Sequence, residues 1–121
     1  MNRLKRKQNP ELISLIHELK KLSIEKDISI WKDIALRLEK PLNNWPVVNL
    51  EKISKYTKKN EIALIPGKVL SDGELNNKIT IAAWSFSEKA INKIKNAGGT
   101  NITIFELIKK HPDGKNIRIL G

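Results

Sequence analysis

Cysteine is absent and histidine occurs only at His17 and His111, so the side chains that most often build nucleophilic or metal centres are nearly missing. Without thiols there is no disulfide framework, thiolate zinc site or cysteine nucleophile, and two histidines are too few for an ordinary histidine metal cluster. His17 follows Ile16 and precedes Glu18 on a helical stretch, where a surface or half-buried imidazole is the plain reading. His111 precedes Pro112 at a helix end, where its positive form complements the helix dipole. Gly98-Gly99 has the composition of a phosphate cradle, but nucleotide loops place their glycines between a strand and the start of a helix. Here the pair follows a helix, so closing that helix is the better assignment. No base stands beside a nucleophile and no two carboxylates are set to converge, so no enzyme activity, cofactor or small-molecule substrate is expected.

The lysines are the chemistry that remains. Lys and Arg number 23 against 13 Asp and Glu, a formal net charge of +10 on 121 residues. That excess repels itself until counterions or a polyanion neutralise it. Arginine occurs only at Arg3, Arg6, Arg37 and Arg118, so most of the charge is lysine. An ammonium is a point charge suited to phosphates and poor at bidentate reading of base edges, which favours recognition of backbone and shape over sequence. Thermophile-type surface composition would also enrich lysine, and a merely soluble basic protein has the same balance. Of three tryptophans, Trp31 falls on an apolar helical face and Trp84 ends the most apolar strand, so both are expected in the core. Trp45, in a loop before Pro46, is the base-stacking candidate.

The elements that must hold these groups alternate. Asn9-Pro10 opens a helix, because Asn accepts from first-turn amides and Pro has none to waste; Leu12, Ile13, Leu15, Ile16, Leu19 and Leu22 follow at helical spacing. A second helix carries Ile30, Trp31, Ile34, Ala35 and Leu38 and stops by Pro41. Val47-Val48 reads as a short strand, Asn49 as the cap of a helix with Leu50 and Ile53, and Tyr56–Asn60 as its solvated end. Ile62, Leu64 and Ile65 form a strand that Pro66-Gly67 should turn, so strand, helix, strand is spelled out from Val47 to Ile65, a parallel-sheet pattern. Val69-Leu70 is read as a separate extended piece and Ser71-Asp72-Gly73 as a turn. Ile79–Trp84 is the clearest strand. Ser85-Phe86-Ser87 opens a helix with Ala90, Ile91, Ile94 and Ala97. Thr103 and Glu106 form a capping-box pair before a short last helix, and Ile117, Ile119 and Leu120 form a terminal strand. The expected fold is a single compact α/β domain over residues 9–121, an irregular alternation of short strands and helices with an N-terminal helical part. Residues 1–8 form a basic N-terminal arm. No stretch of about 18 apolar residues occurs, so a soluble, cytoplasmic protein with no membrane partner is expected.

Several segments together carry a family likeness. Gly67-Lys68-Val69-Leu70-Ser71-Asp72-Gly73-Glu74-Leu75, Ile79-Thr80-Ile81-Ala82-Ala83, Phe86-Ser87-Glu88-Lys89-Ala90 and Ile94-Lys95-Asn96-Ala97-Gly98-Gly99 resemble a signature shared by two related ribosomal families. These are the bacterial large-subunit protein fifteen and the archaeal and eukaryotic large-subunit protein eighteen-e. Asn9-Pro10, Ile30-Trp31, Ile34-Ala35, Leu38-Glu39-Lys40-Pro41, Val48-Asn49-Leu50, His111-Pro112-Asp113-Gly114 and the closing Ile117–Gly121 look like the second family in its archaeal form. Ser71 stands where the pattern has glycine. The resemblance implies a structural protein of the large subunit that binds ribosomal RNA, meets neighbouring ribosomal proteins and supports subunit assembly, without enzyme activity or cofactor. The candidate RNA contacts are Arg3, Lys5, Arg6 and Lys7 in the arm, with Lys40, Trp45, Lys68, Lys78, Lys89 and Lys93 in the domain. A free chromatin-type protein coating nucleic acid is the alternative, and an RNA-processing enzyme is disfavoured by the missing catalytic groups.

Within residues 1–8 only Leu4 is a large apolar residue besides Met1, too little to offset the entropy of fixing the arm in the free protein. Deleting residues 1–8 should leave the melting temperature nearly unchanged and make the salt slope of RNA binding shallower by roughly 3 to 4 units if four cations meet phosphates. Calorimetry and salt titration of the truncated chain check both halves. A large thermal loss would show the arm packed on the core, and an unchanged slope would show that it never meets the backbone.

Overall fold

A computed structural model describes residues 9–121. The arm expected over residues 1–8, with Arg3, Lys5, Arg6 and Lys7, lies outside the described residues. In chain order the elements are helices α1 (Pro10–Lys26) and α2 (Ser29–Leu38), a 3-10 turn at Leu42–Asn44, strand β1 (Val47–Asn49) and helix α3 (Leu50–Tyr56). The long strand β2 (Ile62–Leu70), β3 (Thr80–Phe86), helix α4 (Glu88–Asn96), β4 (Thr100–Thr103), helix α5 (Ile104–Lys110) and β5 (Ile117–Ile119) complete the fold.

All strand pairs are parallel. β2 is central: β3 and then β4 lie on one side, while β1 and β5 sit end to end along the other. β5 pairs with Ile62–Leu64 and β1 with Lys68–Leu70. Parallel strands covered on both faces read as unbroken apolar runs, which is why Ala63, Leu64 and Ile65 are all buried. Leu64, Ala82 and Ile102 face a core shared with α1, α2 and α5, built on Leu12, Leu15, Leu19, Trp31, Ile34, Leu38 and Leu107. Ala63, Ile65, Ile81 and Ala83 face a second core with Leu50 and Ile53 of α3 and Ala90 and Ile94 of α4. The described residues are thus one α/β domain of three layers, helices on both faces of a sheet.

The termini of the helices follow the local chemistry of the sequence. The Asn9 side-chain oxygen accepts from the Glu11 and Leu12 amides at 3.0 and 3.3 Å, and Ser87 Oγ accepts from the Ala90 amide at 3.1 Å. Thr103 and Glu106 close the capping box, with the Glu106 amide donating to Thr103 Oγ1 at 3.1 Å and the Thr103 amide to Glu106 Oε1 at 3.0 Å. These bonds hold the Glu106 carboxyl below its ordinary range, the Thr103 backbone amide contributing most. Gly98, at φ +79°, ends α4: its amide donates to Lys95 O and the Gly99 amide to Ile94 O, both at 2.9 Å. That double closure is a Schellman motif.

Other expectations need correction. Pro66-Gly67 is no turn, and Val69-Leu70 is no separate piece, because β2 runs through both. The pairing with β3 shifts register between Ile65 and Lys68, so the dipeptide occupies a bulge where the amide that proline lacks is not needed. Asn49 does not cap α3 with its side chain; its Oδ1 accepts from the Asp72 amide at 3.2 Å and so fastens the loop after β2. Ser85 and Phe86 belong to β3 rather than to the helix start. Strand β4 was not expected, since Thr-Asn-Ile-Thr buries only Ile102 and offers almost no pattern. Ile13 lies exposed rather than in the α1 stripe.

Gly67 is required by contact rather than by its backbone angle, since its φ is not in the left-handed region. A Cβ there would collide with the backbone oxygen of Pro46, whose carbonyl also accepts from the Lys68 amide at 3.0 Å. Gly67→Ala should therefore destabilise the protein by about 1 to 3 kcal/mol, the usual cost of overpacking a tight site. Denaturant unfolding measures it; a neutral result would mean that the loop before β1 yields freely.

Candidate nucleic-acid interface

Three of the expected contacts gather at the carboxyl end of β2. Trp45 Nε1 donates to the Lys40 carbonyl at 3.0 Å, which folds the loop after α2 back on itself. Lys68 is in register with Val47 and bonds through its amide to Pro46, so its exposed side chain emerges beside that same loop. Trp45 is half-buried, its ring packed edge to face against Trp84 with centroids 5.8 Å apart and planes at 80°. Only Trp31 is a full core tryptophan, with Nε1 donating to the Pro112 carbonyl at 2.9 Å. Trp84, within β3 near its carboxyl end, is half-buried, not enclosed as the apolar strand suggested; the loop residue Trp45 packs against it there.

Lys89 is exposed on α4. Lys93, one turn on, is half-buried, and its ammonium donates to the Ser71 and Gly73 carbonyls at 2.8 and 3.0 Å. Two of its three donors therefore hold the loop between β2 and β3. That loop is also fixed by Asn49 and by the Glu51 amide on the Asp72 carbonyl at 3.0 Å. Gly73, at φ +88°, lies so close to Glu51 that a Cβ would strike its side chain, so the loop is moulded onto the start of α3.

Lys78 stands apart from the others. It precedes β3 and lies along Gly98, at the opposite end of the sheet from Lys68. There it joins residues that sequence reasoning passed over: Lys58, Lys59, Thr57 and His111 line the same cleft. The run Tyr56–Asn60 looked like a solvated helix end, but α3 stops at Tyr56 and Thr57 turns inward. Glu61, beside these lysines, accepts from the Lys58 amide at 2.7 Å and from Arg118 at 3.1 and 3.3 Å. The Lys58 amide, then Arg118, hold its carboxyl below the ordinary range. Tyr56 was also missed as an aromatic surface; half its area is exposed, and Lys55 Nζ lies 5.3 Å from its ring centroid. Among the described residues no group of three His, Asp or Glu is placed to hold a metal, and no helix is long and apolar enough to cross a membrane.

Cations held on ordered backbone at both ends of a parallel sheet, over an apolar interior, define a small basic α/β binding domain. The chain belongs to the family described as ribosomal protein 60S L18 and 50S L18e, which it matches over residues 1–121. It is 47% identical over 120 residues to the large ribosomal subunit protein eL18 of Methanoregula boonei, covering 99% of each chain. The protein of that name from Methanothermobacter thermautotrophicus is 43% identical over 114 residues, 94% of each chain. Its counterpart from Archaeoglobus fulgidus is 44% identical over 115 residues, 95% of this chain and 98% of that one.

The aromatic contact makes Trp45 and Trp84 an energetic unit. Trp45→Ala, Trp84→Ala and the double variant should show a coupling of about 0.5 to 1.5 kcal/mol in unfolding experiments, the worth of an aromatic pair beyond its buried area. Strict additivity would mean that Trp45 is free to leave Trp84 and serve wholly as a stacking platform.

Proposed function

We infer that the chain is a structural constituent of the large ribosomal subunit, where it holds ribosomal RNA mainly through backbone phosphates and shape and supports assembly in translation. The observation that carries this reading is the family match along residues 1–121, on a chain whose net charge is +10. The lysines suit it, because each neutralises a phosphate and releases condensed counterions while the sheet and helices keep the cations at fixed spacing.

The finer parts of the reading follow from the same chemistry. Lys40, Lys68 and Trp45 form one contact region, Lys89 with Lys93 a second and Lys78 a third, and residues 1–8 add a basic arm to the 9–121 domain. Lys93 contributes mainly by fixing the loop at Ser71–Gly73, since two of its donors are engaged there. The protein catalyses no reaction, needs no cofactor or small-molecule substrate, and works in the cytoplasm within the ribosome beside other ribosomal proteins. The bacterial large-subunit protein fifteen is a distant relative through the segment from Gly67 to Gly99.

Affinity for large-subunit RNA should fall steeply with salt, with a logarithmic slope between roughly −4 and −5.5 for about every six phosphate contacts, and steeper in proportion if more are made. Filter binding across a salt series measures the slope, and a nearly flat response would mean that specific pockets outweigh phosphates. Sedimentation of a lysate at low and high salt separates the alternative: the protein should travel with large subunits, and travel with chromosomal DNA would instead mark a chromatin-type role.

A further inference from the structure

A cleft of about 630 Å3 opens at the amino ends of β2 and β3, within the roughly 300 to 1,000 Å3 usual for small-ligand sites. Lys58, Lys59 and Lys78 are among the residues that line it, and all three side chains are exposed. Among the described residues none of the three has a salt-bridge partner. The one carboxylate in the lining, Glu61, is bonded to the Lys58 amide and to Arg118, and against three lysines it leaves the cleft with a net excess of positive charge. Ile62 and Ile79 supply apolar surface, and the imidazole of His111 supplies a flat ring.

A second observation points to a guest. Thr57, more than nine-tenths buried, lies in this wall, and its Oγ1 is the buried side-chain polar atom without a hydrogen-bond partner among the described residues. An unsatisfied buried hydroxyl costs about 1 to 3 kcal/mol unless something else completes its bonding. The atom itself is sealed from the cleft in the free chain, so a polar ligand, or a water between ligand and hydroxyl, would complete its bonding only as the wall at Thr57 shifts on binding.

We propose that this cleft receives one unstacked nucleotide of ribosomal RNA, its phosphate on Lys58, Lys59 and Lys78 and its base against His111 and the two isoleucines. The proposal rests on the ribosomal reading and adds a defined pocket to it. Cationic walls select the phosphate; a ring and apolar floor suit the face of a base turned out of its helix, the usual form in which single-stranded RNA is recognised.

The test uses the full chain and large-subunit RNA, with binding measured across a salt series. Replacing the three lysines together, K58Q/K59Q/K78Q, should make the salt slope shallower by roughly 2 to 3 units, one contact for each lysine. The charge-matched control K21Q/K26Q/K32Q, on exposed positions of α1 and α2, should change it by less than about one unit. Thr57→Val should leave the melting temperature unchanged or raised while weakening binding roughly two- to tenfold, the net worth of one hydrogen bond. His111→Ala should weaken binding at least about fivefold and His111→Phe should restore it, since stacking needs a ring rather than a charge. Equal slope changes in the two triple variants, a lowered melting temperature for Thr57→Val, or a harmless His111→Ala would each overturn the pocket. A cross-link from the cleft to a protein rather than to RNA in assembled subunits would overturn it as well. Failure of the unaltered chain to bind the RNA at all would sink the ribosomal reading, whereas normal binding by every cleft variant sinks only the nucleotide site.

Discussion

The fold depends on one strand having three parallel neighbours. β2 offers one edge to β3 and divides the other between β5, along Ile62–Leu64, and β1, along Lys68–Leu70. Pro66 and Gly67 fall where the neighbour on the divided edge changes, so the absent proline amide interrupts no ladder there. On the other edge β2 advances from Ile65 to Lys68 while β3 advances only from Ala83 to Ser85, which absorbs one extra residue as a bulge. Gly67 then lets the backbone at Pro46 approach and deliver β1. Once β2 is placed, its two faces dictate the two cores, and the helices have nowhere else to bury their apolar sides.

This arrangement also sorts the charge. Both faces of the sheet are filled by aliphatic residues, so the cations are confined to helix exteriors, loops and strand ends. Loops that would otherwise be soft are fastened by specific bonds: Ser71–Gly73 by Lys93, Asn49 and Glu51, and the turn before β2 by Glu61 with Arg118. The ion pairs themselves lie in partly exposed positions, where each contributes little to stability. What they supply is spacing. Cations on a fixed scaffold can match a folded RNA surface without first losing their own conformational freedom.

Periodicity and end chemistry were legible in the sequence, because both are local. Asn9 with Pro10, the Trp31–Leu38 face, the Thr103–Glu106 box and the glycine closure after α4 stand as the residues indicate. Long-range pairing was not. Pro66-Gly67 has turn composition, and only the arrival of β1 and β5 from distant parts of the chain makes it the middle of a strand. Edge strand β4 buries too little to show a period, and Asn49 chose a loop amide over the helix end for reasons that lie 23 residues away. The cationic character of the candidate interface was plain from composition, but the grouping of its lysines in space was not. Lys58, Lys59 and His111 share a cleft with Lys78 only because β2 and β3 begin where α5 ends.

The divided edge of β2 has a kinetic side. Its partner β5 arrives from 117 − 62 = 55 residues away, across β3, α4, β4 and α5, so that contact closes a long loop. Closure entropy must be met before pairing returns anything, and parallel sheets of such high contact order assemble slowly for that reason. Meanwhile half of one edge of the central strand stays open, an apolar template able to pair with other chains. A high positive charge keeps such partly folded molecules apart from one another. The surface that serves binding in the finished protein thus also protects it while the last strand is still finding its place.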